Sequence, residues 1–275
     1  MKGELTAING AELFWESAGE GSAVVLIHAG TADSRMWDDL FSRLSEDFRS
    51  VRYDLRGFGR SSFPGGPYSH AADLDALFRT LGIDSAAVIG TSLGGQIAID
   101  FSLVYPLRVT RLLLAASALG GYQWSEEVQG FGAAEDAALD AGDVDKAVEL
   151  NLRMWVDGPS RGSSAVSATV RERVREMQRN AFEKQLRAYE QQSPPPSPTN
   201  ELQPPTAARL TDIDVPTLVV VGDKDALDIL EIADQLAKEI PQARKVVIPG
   251  TAHMLSLEKP EEFSELVVAF LEQSG

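Results

Sequence analysis

Short, uniformly apolar runs recur along the chain and are separated by longer amphipathic stretches. The runs predicted to form strands are 23–27, 48–53, 86–89, 111–116, 217–221 and 245–248. Runs this short and apolar are typical of strands that are covered on both faces. The stretches predicted to form helices are 36–46, 73–81, 93–105, 229–239 and 261–273. This alternation of strand and helix predicts an α/β fold with a mostly parallel central sheet flanked by helices.

Polar and apolar residues alternate over residues 5–16, on both sides of the dipeptide Asn9-Gly10. Asn-Gly suits a two-residue hairpin turn, because both of its residues tolerate a positive φ. An antiparallel hairpin is therefore expected ahead of the first buried strand.

The strand–helix alternation stops between about residues 120 and 206, where no strand is predicted. Asp143 is a suitable helix N-cap, and a second helix is predicted over 166–192. The residues that share one face of the helix after Asp143 are Val144, Val148, Leu152 and Trp155. Residues 193–198 are rich in proline, which joins neither a helix nor a central strand, so an exposed, mobile linker is expected there.

These patterns predict one α/β domain with a single insertion. Residues 1–120 and 206–275 form the two parts of the α/β core, and residues 121–205 form a helical insertion that ends in the proline-rich linker. No internal repeat is visible in the sequence.

Composition narrows the possible partners. The 275 residues include 25 Lys and Arg against 41 Asp and Glu, a formal net charge of −16 that disfavours nucleic acid and anionic membranes as partners. Without any cysteine, the chain has neither disulfides nor a thiol nucleophile. No apolar leader or membrane-length apolar stretch is visible, so a soluble, cytoplasmic protein is expected.

The sequence Gly90-Thr91-Ser92-Leu93-Gly94 follows a predicted strand and precedes a predicted helix. This G-x-S-x-G pattern is typical of a sharp strand-to-helix turn that raises a serine hydroxyl above the sheet. The glycines two residues before and after the serine give room for a close backbone approach. The turn also places the Leu93 backbone N–H at a helix N-terminus, where it can stabilise an oxyanion. Ser92 is therefore the candidate nucleophile.

A serine hydroxyl needs a general base, and the chain has only three histidines. His253 follows the last predicted strand and is the preferred base. His28 follows the first buried strand and competes for this role, although we expect it to orient its own loop by hydrogen bonding. His70 lies in a polar loop and is expected at the surface.

The acid that orients the base has two candidates after the strand 217–221, Asp223 and Asp225. Asp223 occupies the first position of the turn, where a carboxylate commonly accepts hydrogen bonds from local backbone N–H groups. Asp225 is therefore preferred. The chain order Ser92, Asp225, His253 matches that of α/β-hydrolases. An acid after the preceding strand is excluded, because residues 115–118 contain no carboxylate.

The chain resembles the α/β-hydrolase superfamily over essentially its full length. The matching blocks are the oxyanion loop 26–30 with Trp37, the charged loop 53–61, the serine turn, and the C-terminal pair 222–225 and 250–253. The resemblance implies that Asp225 and His253 are the acid and base, and that the N–H groups of Gly30 and Leu93 form the oxyanion hole, with Thr31 as the alternative to Gly30. It also implies that residues 121–205 are the family's helical cap. Ala29 departs from the glycine usual in that loop.

The expected activity is that of a serine hydrolase cleaving a small-molecule acyl bond, most simply a carboxylic ester, without a metal or organic cofactor. Lactone hydrolysis, C–C bond hydrolysis and a ligand-binding receptor that retains the triad remain alternatives. A serine at the turn argues against the aspartate-dependent epoxide hydrolases and dehalogenases of the family. Trp124, Trp155 and Met254 are the candidate substrate-binding residues. Asp54 and Arg56 are expected to tie neighbouring loops together.

Overall fold

A computed structural model describes residues 2–199 and 202–273 of the chain. Its strands are, in chain order, β1 (Lys2–Ile8), β2 (Ala11–Ala18), β3 (Ala23–Ile27), β4 (Arg49–Tyr53), β5 (Gly66–Tyr68), β6 (Ala86–Thr91), β7 (Val109–Ala115), β8 (Pro196–Pro198), β9 (Thr217–Gly222) and β10 (Ala243–Ile248). Its α-helices are α1 (Asp38–Leu44), α2 (His70–Leu81), α3 (Leu93–Val104), α4 (Glu126–Asp140), α5 (Val144–Asn151), α6 (Ala168–Gln191), α7 (Leu227–Glu239), α8 (Leu255–Glu258) and α9 (Pro260–Leu271).

The main sheet has eight strands in the order β1-β2-β4-β3-β6-β7-β9-β10. Strand β2 is antiparallel to β1 and β4, and the pairs from β4 to β10 are parallel. The predicted mostly parallel sheet flanked by helices is confirmed. Parallel strands present their carboxyl ends at one edge, so the loops after β3, β6, β9 and β10 lie on the same side of the molecule.

Two apolar cores cover the two faces of the sheet, and neighbouring residues of one strand alternate between them. In β9, for example, Val219 and Val221 belong to one core, whereas Leu218 and Val220 belong to the other. This explains why the strands read as unbroken apolar runs, since a period of two with both faces buried leaves no polar position.

The predicted N-terminal hairpin is also confirmed. Ile8 pairs with Ala11, and Asn9 and Gly10 between them have φ angles of 45° and 82°. These angles fit a two-residue turn whose twist matches that of the strands it joins.

The segment between β7 and β9 contains α4, α5, a π-helix over Leu152–Asp157 and α6. The sequence pattern does not predict α4, because Ala138 is the only residue of this helix that is buried, which leaves almost no apolar periodicity. The basic helix α6 pairs with nearby acids: Arg171 with Asp157 at 2.9 Å and Arg175 with Glu149 at 3.1 Å.

Residues 193–198 are exposed except for Pro196, but they include a short strand where none was predicted. Pro196–Pro198 forms β8, which pairs in parallel with Gly66–Tyr68, and Pro196 is buried. Proline lacks an N–H but keeps its carbonyl, and Pro195 accepts a bond from the Gly66 N–H at 3.1 Å. Prolines are compatible with this pairing, because their carbonyls act as acceptors and other residues supply the N–H donors.

Within residues 2–199 and 202–273, no helix combines the length and apolar character needed to cross a bilayer.

Candidate active site

Ser92 lies between β6 and α3 with φ 56° and ψ −118°, a backbone conformation that residues other than glycine rarely adopt. The turn around it is very tight. A Cβ on Gly90 would lie 2.1 Å from the Gly94 carbonyl oxygen, and a Cβ on Gly94 would lie 2.3 Å from that of Ile27. Gly90 is therefore required by the turn itself, and Gly94 by the close approach of the turn to the end of β3.

Replacing Gly90 by Ala is expected to lower the free energy of unfolding by more than about 3 kcal/mol, because backbone atoms on both sides of the turn must move. Chemical denaturation measures this change. Gly132→Ala in α4 is the matched control, since a Cβ there meets nothing within 4 Å, and helix propensity predicts a gain of about 0.5 to 1 kcal/mol. Equal stability of the two variants would contradict the steric explanation.

His253 and Asp225 are hydrogen-bonded and buried. The His253 Nδ1 atom lies 2.9 Å from Asp225 Oδ2 and 3.2 Å from Oδ1. The Ala226 N–H donates to Asp225 Oδ1 at 2.8 Å and so fixes the carboxylate. A proton on Nδ1 that is shared with this carboxylate leaves Nε2 as the free acceptor, which is the tautomer a general base requires.

Asp223, the competing acid, is exposed and turned toward local groups. Its Oδ1 atom accepts from the Gly250 N–H at 2.5 Å, and its Oδ2 atom lies 2.9 Å from the Lys224 ammonium. These contacts are the local backbone capture expected from its turn position. The structure brings Asp225, and not Asp223, into contact with a histidine.

Ser92 and His253 line one cavity of about 350 Å³. That volume falls within the range typical of small-molecule sites. Its apolar lining is Phe58, Leu93, Ala118, Trp124, Val128, Phe131, Trp155, Phe182 and Ile229, and its other lining residues are Gly30, Thr31, Glu135, Asn151, Gln178 and Gln185. A mostly apolar wall around a serine and an imidazole suits an apolar substrate with a reactive polar group.

The two predicted oxyanion-hole residues are neighbours at this cavity. Leu93 is the first residue of α3, so its N–H has no acceptor within the helix. A Cβ on Gly30 would lie 3.6 Å from the Leu93 side chain. With its amide nitrogen facing the loop, buried Gln178 donates to the carbonyls of Gly30 and Thr31 at 3.3 Å and holds them in place.

The structure separates the three predicted substrate-binding residues. Trp124 and Trp155 line the cavity, and the Trp155 ring lies 4.7 Å from that of His253. Met254 is fully buried in the apolar core and is not part of the lining, and its sulfur accepts from the Thr31 hydroxyl at 3.6 Å. It is the N-cap residue directly before α8, and it contacts the oxyanion loop and not the cavity.

The other two histidines have different surroundings. His28 orients its own loop, as predicted: Nδ1 donates to the Ala29 carbonyl at 2.8 Å, and Nε2 accepts from the Leu55 N–H at 2.9 Å. Burial lowers the pKa of His28, which keeps it neutral. His70 differs from the predicted surface residue, because it is half-buried and lines a second cavity of about 390 Å³. Burial lowers the pKa of His70 to about 4.

Asp54 and Arg56 tie loops together, as expected. Asp54 accepts from the N–H groups of Ser34 at 2.8 Å and Arg60 at 2.7 Å. Arg56 forms a buried ion pair with Asp73 and donates to the Asn9 carbonyl at 2.8 Å. Their partners show that both side chains hold the loops beside the cavity.

Arg161 connects the insertion to the loop that carries the candidate base. Its Nη1 atom lies 2.8 Å from Glu258 Oε2 and 2.8 Å from the Gly250 carbonyl oxygen. Glu258 Oε1 in turn accepts from the Ala252 N–H at 2.8 Å, directly before His253. The same turn of the insertion approaches the acid loop, since a Cβ on Gly158 would lie 2.5 Å from the Lys224 carbonyl oxygen.

Most of the cavity wall was missed by sequence reasoning. Phe131, Glu135, Gln178 and Phe182 come from α4 and α6, whose positions over the sheet are not encoded in any local pattern. One signal was present: Val128, Phe131 and Glu135 are three and four residues apart, which places them on one face of a helix.

A serine on a strained strand-to-helix turn, an aspartate–histidine pair and a parallel sheet that presents all three at one edge define a hydrolase of the α/β type. Residues 22–260 match the family model for the alpha/beta hydrolase fold, and the chain belongs to that family.

Relatives with assigned activities cover almost the whole chain. The chain is 28% identical to a pimeloyl-[acyl-carrier protein] methyl ester esterase of Pectobacterium atrosepticum, over 94% of this chain and 98% of the relative. It is 26% identical to the carboxylesterase YbfK of Bacillus subtilis, over 92% and 81%. The crystal structure of the enol-lactonase from Burkholderia xenovorans superposes with a TM-score of 0.80 and 25% identity, over 98% of this chain and 100% of that one. The protein is a hydrolase enzyme of this fold.

Proposed function

We propose that the protein hydrolyses a small carboxylic ester through an acyl-enzyme formed on Ser92. The observation that supports this proposal most directly is that Ser92, on its strained turn, and His253, which is hydrogen-bonded to Asp225, line the same cavity. His253 Nε2 accepts the hydroxyl proton as the Ser92 oxygen bonds to the acyl carbon. The alcohol then leaves with that proton, and water attacks the acyl-enzyme with His253 again as base. The N–H groups of Leu93 and Gly30 hold the oxyanion.

The proposed substrate class follows from the wall of the cavity. About 350 Å³ lined mainly by aromatic and aliphatic side chains suits an uncharged ester of modest size. Residues 121–205 act as a cap, because Trp124, Phe131, Trp155 and Phe182 reach the cavity from that segment. The assigned activities of the esterase relatives support the same class. The superposition on an enol-lactonase favours a lactone as the second candidate, since a cyclic ester needs the same residues.

Covalent labelling by a fluorophosphonate, together with a panel of esters, lactones and thioesters, tests the proposal. The wild type is expected to label at Ser92 with release of fluoride, and His253→Ala is expected to slow labelling by about 100-fold or more. Esters or lactones are expected to turn over. Slow labelling that does not depend on His253, with no turnover of any panel member, would instead identify a ligand-binding receptor that retains the triad for its shape.

A further inference from the structure

Glu135 places a carboxyl group in the same cavity as Ser92 and His253. It lies on the face of α4 that also presents Val128 and Phe131, so its neighbours along that face are apolar. Burial raises the pKa of the Glu135 carboxyl above its ordinary value. A carboxyl group on an apolar wall destabilises a fold unless it has partners, so its presence in a ligand cavity points to a functional role.

The partners of Glu135 are few. Among the described residues it receives one hydrogen bond, from the Asn151 amide nitrogen to Oε1, and it has no ion pair. Two other acids at the insertion do pair with arginine: Glu149 with Arg171 and Arg175, and Glu258 with Arg161. A carboxylate has about four lone-pair sites, so Glu135 retains acceptor capacity that the protein leaves unused.

We propose that Glu135 accepts a hydrogen bond from a donor group of the substrate, a hydroxyl or an amide N–H, and rejects substrates that carry a carboxylate. This inference rests on the proposed ester hydrolysis and adds the polar group that the ester carries. A hydrogen bond to a charged group inside an apolar cavity discriminates strongly, because the competing substrate either leaves the carboxylate unpaired or places a second negative charge beside it.

A purely structural role would be to join α4 to α5 through Asn151, which itself donates to the Ala147 carbonyl at 3.0 Å. Glu135→Gln separates the two roles. Glutamine keeps an amide oxygen that accepts from Asn151, so the link between the helices survives, whereas the negative charge and the acceptor sites of the second carboxylate oxygen are lost. Thermal unfolding of the variant checks that the link is intact.

The experiment compares three series of methyl esters with acyl chains of matched length, from about four to eight carbons: unsubstituted, ω-hydroxy and ω-carboxylate. For the best chain length, wild-type kcat/KM is expected to be about tenfold or more higher for the hydroxy ester than for the carboxylate ester. Glu135→Gln is expected to reduce that ratio by about tenfold. The matched control Glu127→Gln, an exposed position on the same helix, is expected to keep the wild-type ratio.

Two outcomes overturn the inference: ratios that agree within about twofold between wild type and Glu135→Gln at every chain length, or equal changes in Glu127→Gln. Failure of the ester hydrolysis itself is distinguishable, because no series would then turn over. Thermal shifts with the corresponding methyl ketones, which contain no ester bond, still report whether the hydroxy ligand is preferred and whether Glu135→Gln removes that preference.

Discussion

Ser92→Ala is expected to lower kcat for a small ester by about 10⁴-fold or more, because the alternative nucleophile is unactivated water. The variant is expected to fold, since alanine removes one half-buried hydroxyl at the edge of the cavity. The ratio of kcat between variant and wild type is obtained by measuring release of the alcohol product with purified enzyme, over several orders of magnitude of enzyme concentration.

Ser102→Ala is the matched control for that experiment. Ser102 is a buried serine of α3, the helix that follows Ser92, and its hydroxyl donates to the Ile99 carbonyl at 2.7 Å; Ser102 does not line the cavity. It is expected to change kcat by less than about threefold. A Ser92→Ala variant that keeps more than a few per cent of wild-type turnover would exclude Ser92 as nucleophile.

Asp225→Asn is expected to lower kcat by about 10³- to 10⁴-fold with little change in stability. The asparagine fills the same volume but can present its NH₂ group to His253 Nδ1. The proton would then move to Nε2, and the imidazole could no longer accept the serine proton. Steady-state kinetics with one ester, together with thermal unfolding, separates this effect from loss of fold.

Asp223→Asn provides the comparison, because Asp223 lies two residues away in the same loop and contacts Lys224 and Gly250. It is expected to retain kcat within about threefold. If the two variants lose activity equally, or if only Asp223→Asn is inactive, the assignment of the acid to Asp225 is wrong.

The sheet was predictable because each of its central strands must bury both faces, which leaves a distinctive apolar run in the sequence. The serine turn was equally visible, since Gly90 packs against the backbone of Gly94 only four residues further on, although Gly94 itself packs against Ile27 of β3. Contacts between residues that are close in sequence leave a short motif that can be recognised. The hairpin at Asn9 and Gly10 belongs to the same class of feature.

The walls of the cavity depend on how helices from one segment pack over loops from others, and no short pattern records that packing. In the sequence, Glu135 resembles any other acidic residue of an acid-rich stretch, and only its position in the wall of the cavity that contains Ser92 distinguishes it. Met254 shows the converse: its place next to His253 suggested a ligand contact, but the chain turns into α8 and directs it into the core. Adjacency in sequence does not fix which way a side chain points.

The contacts of Arg161 restrict how insertions can be exchanged between related enzymes. Consider a chimaera in which the insertion is replaced by that of a relative and only the ligand-facing residues are kept. Such a chimaera would lose Arg161 and leave the Glu258 carboxylate, whose side chain is only 7% exposed, without its cation. Removing one member of a buried ion pair destabilises a protein by about 3 to 5 kcal/mol, and here the disturbance would reach the backbone next to His253. A grafted insertion should therefore include an arginine at the position of Arg161, because this residue helps to hold the loop that carries His253.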